Sequence, residues 1–215
     1  MNVLIIGAGA VGGVIAGILT RKNIPVDVAC ETAELAEKLR NEGLILTIRK
    51  RTRRIKLNAY PSVEATPGNY HFILLATKAH QMEVPALQAL EKLAPTGLLV
   101  SLQDGFCEER LARLAGSDRI IGAILGWGAT QHEPGFVEMT SKGETLIGNL
   151  NGTDDSRLDE LQYILDMVTH TEVVPNIKEQ VYSKLIINSC VTTLGLISGQ
   201  KIGKLLLNVE ARKLI

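Results

Sequence analysis

The chain has 215 residues, of which 46% are hydrophobic and 21% are charged, and its 23 basic residues balance its 23 acidic ones. This composition is typical of a folded globular protein, and zero net charge argues against a general attraction to nucleic acid or to a membrane surface. The chain contains no uninterrupted apolar run of about 18 residues, so the sequence predicts no membrane span.

Cysteine and histidine usage indicates the compartment and the metal content. Cys30, Cys107 and Cys190 are widely spaced and odd in number, so they form neither a disulfide framework nor a zinc pattern. This usage is expected of a protein in the reducing cytoplasm. The four histidines show no metal-ligand spacing, and we therefore expect no metal site.

The first half of the chain alternates short apolar segments with segments of helical spacing. Strands are predicted at residues 2–6, 26–29, 44–48, 55–59, 71–76 and 98–101. Helices are predicted at residues 10–20, 32–41 and 81–93, the second with Thr32 as N-cap. This alternation predicts an α/β fold, a Rossmann-type doubly wound sheet with parallel strands.

The second half changes character. Residues 120–128 and 136–148 are glycine-rich and strand-like, with a turn signal at Glu133-Pro134-Gly135, and they predict an antiparallel extension of the sheet. A helix is expected at about 153–168, a strand at 171–174, and only helix from 176 onward. We therefore expect a dinucleotide-binding domain over 1–174. Residues 175–215 are predicted to begin an all-helical domain that is cut short at Ile215.

A glycine motif follows the first predicted strand. The segment Gly7-Ala8-Gly9-Ala10-Val11-Gly12 stands between a strand and a helix, the context in which this motif binds a dinucleotide. Gly7 permits the tight turn, Gly9 lets the backbone approach the pyrophosphate, and Gly12 allows close packing of helix on strand. All six residues are therefore candidate cofactor-binding residues.

Glu31 follows the second predicted strand, about 20 residues after the motif, where an acidic residue meets the adenosine ribose. Its carboxylate would accept hydrogen bonds from the 2′- and 3′-hydroxyls and repel a 2′-phosphate. We therefore expect NAD(H) to be favoured over NADP(H). The alternative is that Glu31 is only a solvated loop residue.

Four segments together resemble the ketopantoate reductase (2-dehydropantoate 2-reductase) family. They are the glycine turn, Thr77-Lys78-Ala79-His80-Gln81, Leu102-Gln103-Asp104-Gly105-Phe106, and Lys184-Leu185-Ile186-Ile187-Asn188. The resemblance implies that Lys184 is the general acid, that Asn188 binds substrate, and that Lys78 and Gln81 lie on the cofactor side. It also places Asp104 beside cofactor and substrate, and Thr192 beside substrate.

This chain departs from the family pattern at two of these positions. Asp104 replaces the asparagine of a Gln-Asn-Gly motif, and Thr192 replaces a second helical asparagine. Both changes bear on which substrate is taken.

Lys184, Asn188 and Thr192 are spaced i, i+4 and i+8, so they share one helix face. Hydride transfer to a ketone leaves charge on its oxygen, which a positioned ammonium can stabilise and protonate. The alternative is a surface lysine on an amphipathic helix, and Lys78 could likewise be an exposed lysine at a helix start.

The resemblance implies an oxidoreductase that transfers a hydride from a nicotinamide cofactor to a small 2-oxo acid, 2-dehydropantoate or a relative. A non-catalytic dinucleotide-binding module, such as a redox sensor or an oligomer partner, is the alternative. We expect no nucleic-acid partner, and any homodimer to form through the helical segment. The basic run Arg49-Lys50-Arg51-Thr52-Arg53-Arg54 is interpreted as a solvated hairpin tip or as a contact for a phosphate-bearing ligand.

Overall fold

The computed structural model describes residues 1–153 and 155–214, so Asp154 and the predicted truncation point Ile215 lie outside the described residues. The strands are β1 (Val3–Ile6), β2 (Val26–Ala29), β3 (Leu44–Ile48), β4 (Arg51–Ile55), β5 (Asn58–Tyr60), β6 (Tyr70–Leu75), β7 (Leu93–Ser101), β8 (Ile120–Leu125), β9 (Gly128–Glu133), β10 (Phe136–Ser141), β11 (Thr145–Asn149) and β12 (Thr171–Val173). The α-helices are α1 (Ala10–Arg21), α2 (Ala33–Asn41), α3 (Glu83–Lys92), α4 (Glu108–Ala115), α5 (Arg157–Asp166), α6 (Ile177–Ser198), α7 (Ile202–Leu205) and α8 (Val209–Leu214).

The main sheet has eight strands in the order β12-β11-β8-β7-β6-β1-β2-β5. Its neighbours pair in parallel except β8 with β11, which pair antiparallel. The strand order reverses direction around β1, since β2 lies on one side of it and β6 on the other, and ligands bind at the carboxyl edge of such a switch point. The α/β class and the Rossmann-type sheet are confirmed.

A second, four-stranded sheet has the order β4-β3-β10-β9. The predicted antiparallel extension of the main sheet is confirmed where β11 pairs with β8, with Thr145 opposite Leu125, whereas residues 136–141 of the same predicted segment leave that sheet as β10. β10 instead pairs in parallel with β3, with Phe136 opposite Ile45. The reason is long-range packing, because residues of this sheet cover the side of α1 that faces away from the main sheet.

Helix α1 explains how two sheets share one core. Every residue from Gly12 to Leu19 is buried, so α1 is covered on more than one side. A Cβ at Gly17 would lie 2.9 Å from a Leu46 methyl and 3.0 Å from a Leu44 methyl, both on β3. The absence of a side chain at Gly17 therefore lets the second sheet approach the helix backbone.

The basic run contributes more strand than sequence analysis predicted. It was assigned to a turn between strands 44–48 and 55–59, but Arg51–Ile55 is itself strand β4, and Asn58–Tyr60 joins the main sheet. Only Arg49 and Lys50 form the turn, with φ of 49° and 64°. Two residues of positive φ between antiparallel strands form the tight hairpin turn that matches sheet twist.

The chain divides into two compact units, Met1–Ile177 and the segment from Lys178 onward. Within its described residues the second unit is helical, as predicted. By length and composition alone, α6 is long and apolar enough to cross a membrane. This is weak evidence, because core helices of soluble proteins meet the same criteria. The sequence had predicted no such segment, because polar residues interrupt the apolar ones.

Candidate active site

The glycine turn joins β1 to α1 at the carboxyl edge of the main sheet. Gly7 has φ of +102°, and a Cβ there would lie 3.0 Å from the Ala76 carbonyl oxygen. A Cβ at Gly12 would lie 1.9 Å from the Gly7 carbonyl oxygen. The protein's own packing therefore requires both glycines, the first for the turn and the other for the approach of helix to strand.

Gly9 differs from the other two glycines. The nearest atom to a Cβ at Gly9 would be Gln131 Oε1, at 3.9 Å, and its φ of −73° is open to any residue. Among the described residues no side chain caps α1, and its first turn carries no acidic residue. The space above Gly9 and the first N–H groups of α1 are therefore suited to a phosphate.

The loop after β6 borders the glycine turn. The Ala76 N–H donates to the Ile6 carbonyl oxygen at 2.9 Å, which fixes the start of this loop to the end of β1. Lys78 and Gln81 follow in the loop, and both are exposed. The Gln81 N–H donates to the Lys78 carbonyl oxygen at 2.9 Å, within a single turn of 3-10 helix at Ala79–Gln81. Both predicted cofactor-side residues thus lie in the segment next to the glycines.

Gln103 is a residue of this edge to which sequence analysis gave no role. It follows β7, is buried, and its Nε2 donates to Thr77 Oγ1 at 2.8 Å. Its Oε1 is also buried and has no hydrogen-bond partner within residues 1–153 and 155–214. A buried amide oxygen without a donor costs free energy unless a ligand supplies one. The sequence signal was its place beside Asp104, but burial of its side chain depends on β6 and β7 pairing.

Asp104 occupies the same loop and is exposed. Because β6 and β7 are parallel neighbours, the loops carrying Lys78 and Asp104 leave the sheet at one edge. Gly105 follows with φ of +100°, so the chain turns sharply after the carboxylate. Its assignment to cofactor and substrate stays a prediction.

Two opposite charges lie at the end of β2. Burial raises the pKa of the Cys30 thiol to about 12, while the Arg40 guanidinium acts to lower this pKa and the Glu31 carboxylate to raise it. Arg40 reaches this place from the last turn of α2, where its Nη1 donates to the Ala59 carbonyl oxygen on β5 at 2.8 Å. The prediction from sequence rested on Glu31 alone, because the position of Arg40 depends on the packing of α2 against β5.

In the second unit, α6 carries Lys184, Asn188 and Thr192. One helix of 22 residues contains all three, so their spacing does place them along one face. Their catalytic and substrate-binding roles stay predictions. Within the described part of the chain, no group of three or more metal-ligating side chains is assembled.

Comparison with protein families gives a match to the model described as ketopantoate reductase PanE/ApbA, over residues 3–152. A curated 2-dehydropantoate 2-reductase from Pyrococcus horikoshii is 30% identical over 206 residues, which are 94% of this chain and 66% of that protein. One from Pyrococcus abyssi is 27% identical over 91% of this chain and is covered over 63% of its own length. The chain thus spans just under two thirds of these relatives.

Solved structures share the fold at lower identity. A 2-dehydropantoate 2-reductase from Geobacter metallireducens matches with a TM-score of 0.89 at 23% identity, over 99% of this chain and 71% of that one. The ternary structure of D-mandelate dehydrogenase with NADH and anilino(oxo)acetate matches with a TM-score of 0.86 at 21% identity, over 99% of this chain and 69% of that one.

Proposed function

Because the chain belongs to the ketopantoate reductase PanE/ApbA family, we propose that it reduces a small 2-oxo acid, 2-dehydropantoate or a relative, to the 2-hydroxy acid with a nicotinamide cofactor. The observation that carries this proposal is the open space at Gly9. Gly7 and Gly12 are explained by contacts within the protein, whereas Gly9 is not. A pyrophosphate lying against the start of α1 would explain it.

The second support is the buried Gln103 acceptor. A dinucleotide whose pyrophosphate lies at Gly9 places its nicotinamide along the carboxyl edge of the main sheet. Gln103 is fixed at that edge through Thr77. Its Oε1 would accept a hydrogen bond from an amide N–H, and the nicotinamide carboxamide has one to donate.

The chemistry then rests on residues of both units. When bound, the nicotinamide supplies the hydride. Lys184 would stabilise the developing alkoxide and give it a proton, while Asn188 and Thr192, on the same face of α6, would hold the substrate. Asp104 would favour a substrate that offers a hydroxyl donor, since an ionised carboxylate only accepts hydrogen bonds.

We further propose that NADH is preferred to NADPH. Glu31 is exposed at the end of β2, where the adenosine ribose would lie. Its carboxylate can accept two hydroxyl donors and would repel a phosphate. Arg40 lies near the same strand end but donates to the Ala59 carbonyl oxygen, which holds its guanidinium to β5.

Gly9→Ala tests the cofactor site directly. The added Cβ meets no protein atom closer than 3.9 Å, so the fold should lose at most about 1 kcal/mol, the usual range for an N-cap substitution. Affinity for NADH should fall about tenfold or more, because the methyl group stands where the phosphate approaches. Fluorescence titration with NADH measures the affinity, and thermal melting checks the fold.

Two control variants complete this experiment. Gly203→Ala, where a Cβ meets nothing within 4 Å, should leave the NADH affinity unchanged and should not lower the melting temperature, since alanine is the better helix former. Gly12→Ala should destabilise the fold itself. Loss of NADH absorbance on addition of 2-dehydropantoate tests the reaction. A folded Gly9→Ala protein that binds NADH as tightly as the unmutated chain would exclude the proposed site.

A further inference from the structure

A cavity lies at the other end of α1 from the glycine turn, wholly within the first unit. Its volume is about 500 Å³, within the range of small-molecule sites. The last turn of α1, the β3–β4 turn, the end of β10 and the end of α5 surround it. Because α1 has 12 residues and rises about 1.5 Å per residue, roughly 18 Å separate this cavity from the predicted pyrophosphate position.

Three cationic side chains line this cavity, which we name the basic cavity: Arg21, Arg49 and Lys142. Within residues 1–153 and 155–214, none of the three forms a salt bridge or a side-chain hydrogen bond. No acidic residue in those ranges lines the cavity, and the lining His170 is flanked by Asp166 and Glu172, each at 3.4 Å. In a chain of zero net charge, three such cations around one cavity are a local feature of the fold.

Helix-end electrostatics does not account for Arg21. A cation in the last turn of a helix is favoured by the unpaired carbonyl groups there. In α1 the Ile18 and Leu19 carbonyl oxygens both accept from the Lys22 N–H, at 3.1 and 2.9 Å, and the Thr20 carbonyl oxygen accepts from the Asn23 N–H at 3.1 Å. The guanidinium of Arg21 therefore remains available to a ligand.

Turn chemistry does not account for Arg49 either. Its φ of 49° lies in the left-handed region, which glycine or asparagine adopts more easily in a two-residue hairpin turn. A long basic side chain is therefore held at a position where the backbone favours a smaller residue. Such a local conflict is expected at functional positions.

Besides the cations and His170, the lining combines apolar side chains with three hydroxyl groups, those of Thr140, Ser141 and Thr169. Ile18 belongs to the buried core, and Ile48 and Met139 are partly buried against it, so the cavity has an apolar floor. Guanidinium groups pair with phosphate through two parallel hydrogen bonds, and the floor suits a hydrocarbon or aromatic group.

We propose that the basic cavity is a binding site for a small phosphate monoester whose organic part is apolar. Arg21, Arg49 and Lys142 would hold the phosphate, and the Ile18, Ile48 and Met139 side chains would contact the organic part. This site is separate from the dinucleotide site and stands whether or not the proposed reductase activity does.

Titration of the 215-residue chain with phenyl phosphate tests the proposal, with isothermal calorimetry as the readout. We expect saturable binding at one site, and weaker binding of inorganic phosphate, which lacks the apolar group. Arg49→Asn should lower the affinity about tenfold, the typical loss of one charge-assisted contact. It should not lower the melting temperature, because asparagine tolerates the positive φ.

Arg53→Gln is the matched control, since Arg53 belongs to the same basic run but does not line the cavity. It should leave the affinity unchanged, and so should Gly9→Ala. Equal losses for Arg53→Gln and Arg49→Asn would overturn the proposal in favour of general attraction to a basic surface. No saturable binding of phenyl phosphate, or equal binding of inorganic phosphate, would also overturn it.

Discussion

Glu108 is a carboxylic acid that the fold removes from water. It is 4% exposed at the start of α4, and a Cβ added at Gly122 on β8 would lie 3.3 Å from its Cγ. Burial raises the pKa of Glu108, although hydrogen bonds from its own N–H and from the Cys107 N–H act to lower this pKa. The ionised form is therefore disfavoured in the folded protein.

Because the pKa of Glu108 differs between the folded and unfolded states, the free energy of unfolding depends on pH. A carboxyl whose folded pKa is raised binds more protons in the folded state than in the unfolded state. Its contribution to stability is therefore fully present below its unfolded pKa, about 4.5. That contribution is lost as the pH rises through the folded pKa, because the unfolded chain ionises first and the folded chain can then ionise only by burying the charge.

Glu108→Gln removes this titration. We expect the variant to gain free energy of unfolding relative to the unmutated chain as the pH is raised from 4 to about 8, in the window that begins near the unfolded pKa. Urea unfolding at several pH values measures the difference. Glu91→Gln, an exposed change on α3, should have an effect within about 0.5 kcal/mol at every pH. A difference for Glu108→Gln that is independent of pH would contradict the assignment.

At the scale of elements, local signals located the strands and helices of the first half well. β2 and β3 match their predicted bounds, and α2 begins after Thr32, whose side-chain oxygen accepts from the Leu35 N–H at 3.2 Å. These elements are coded by apolar periodicity and by a cap within a few residues.

The errors have two causes, a missing local pattern in one strand and partners that are distant along the chain. Nothing local in Arg51–Ile55 shows that it will pair with β3, since its first four residues are basic or polar and do not form an apolar pattern. Gln103 and Arg40 were missed because their hydrogen-bond partners, Thr77 and Ala59, are distant from them along the chain. Their environments are set by β6 and by β5, which the sequence does not place beside them.

Helix α2 brings Arg40 back to the end of β2, close to Glu31. This arrangement leads to a prediction about cofactor choice. Reversing the charge in Glu31→Arg would place two cations there. We expect NADPH to be preferred to NADH in this variant, a shift of about tenfold or more. Dissociation constants for both cofactors measure it.

The control variant makes the same change of charge at another position, in the first turn of α2. Glu34→Arg, at the exposed first turn of that helix, should leave the preference largely as it was. Adding Arg40→Gln to Glu31→Arg should reverse part of the shift. Tighter binding of NADPH than of NADH by the unmutated chain would show that Glu31 does not select the cofactor.

At the scale of the whole molecule, the residues proposed for the reaction belong to both compact units. The glycine turn, Gln103 and Asp104 belong to the first unit, and Lys184 and Asn188 belong to the second. Cofactor binding and proton transfer should therefore respond to different substitutions. Steady-state kinetics on variants of α6 can test this separation.

Lys184→Ala should slow reduction by about 10²–10⁴-fold, the usual contribution of a positioned proton donor. NADH affinity should hardly change, because the glycine turn lies in the other unit. Asn188→Ala should first raise KM with a smaller loss in kcat, if its contact is equally strong in the ground and transition states.

Lys178→Ala is the matched change of a lysine on α6. Lys178 lies on a different face of the helix from Lys184, and its replacement should leave kcat unchanged. Steady-state kinetics with thermal melts as folding checks decide between the roles, because a merely structural helix would give similar stability losses and no kinetic contrast. A folded Lys184→Ala protein with near-normal kcat would remove Lys184 as the acid and leave the cofactor site of the first unit intact.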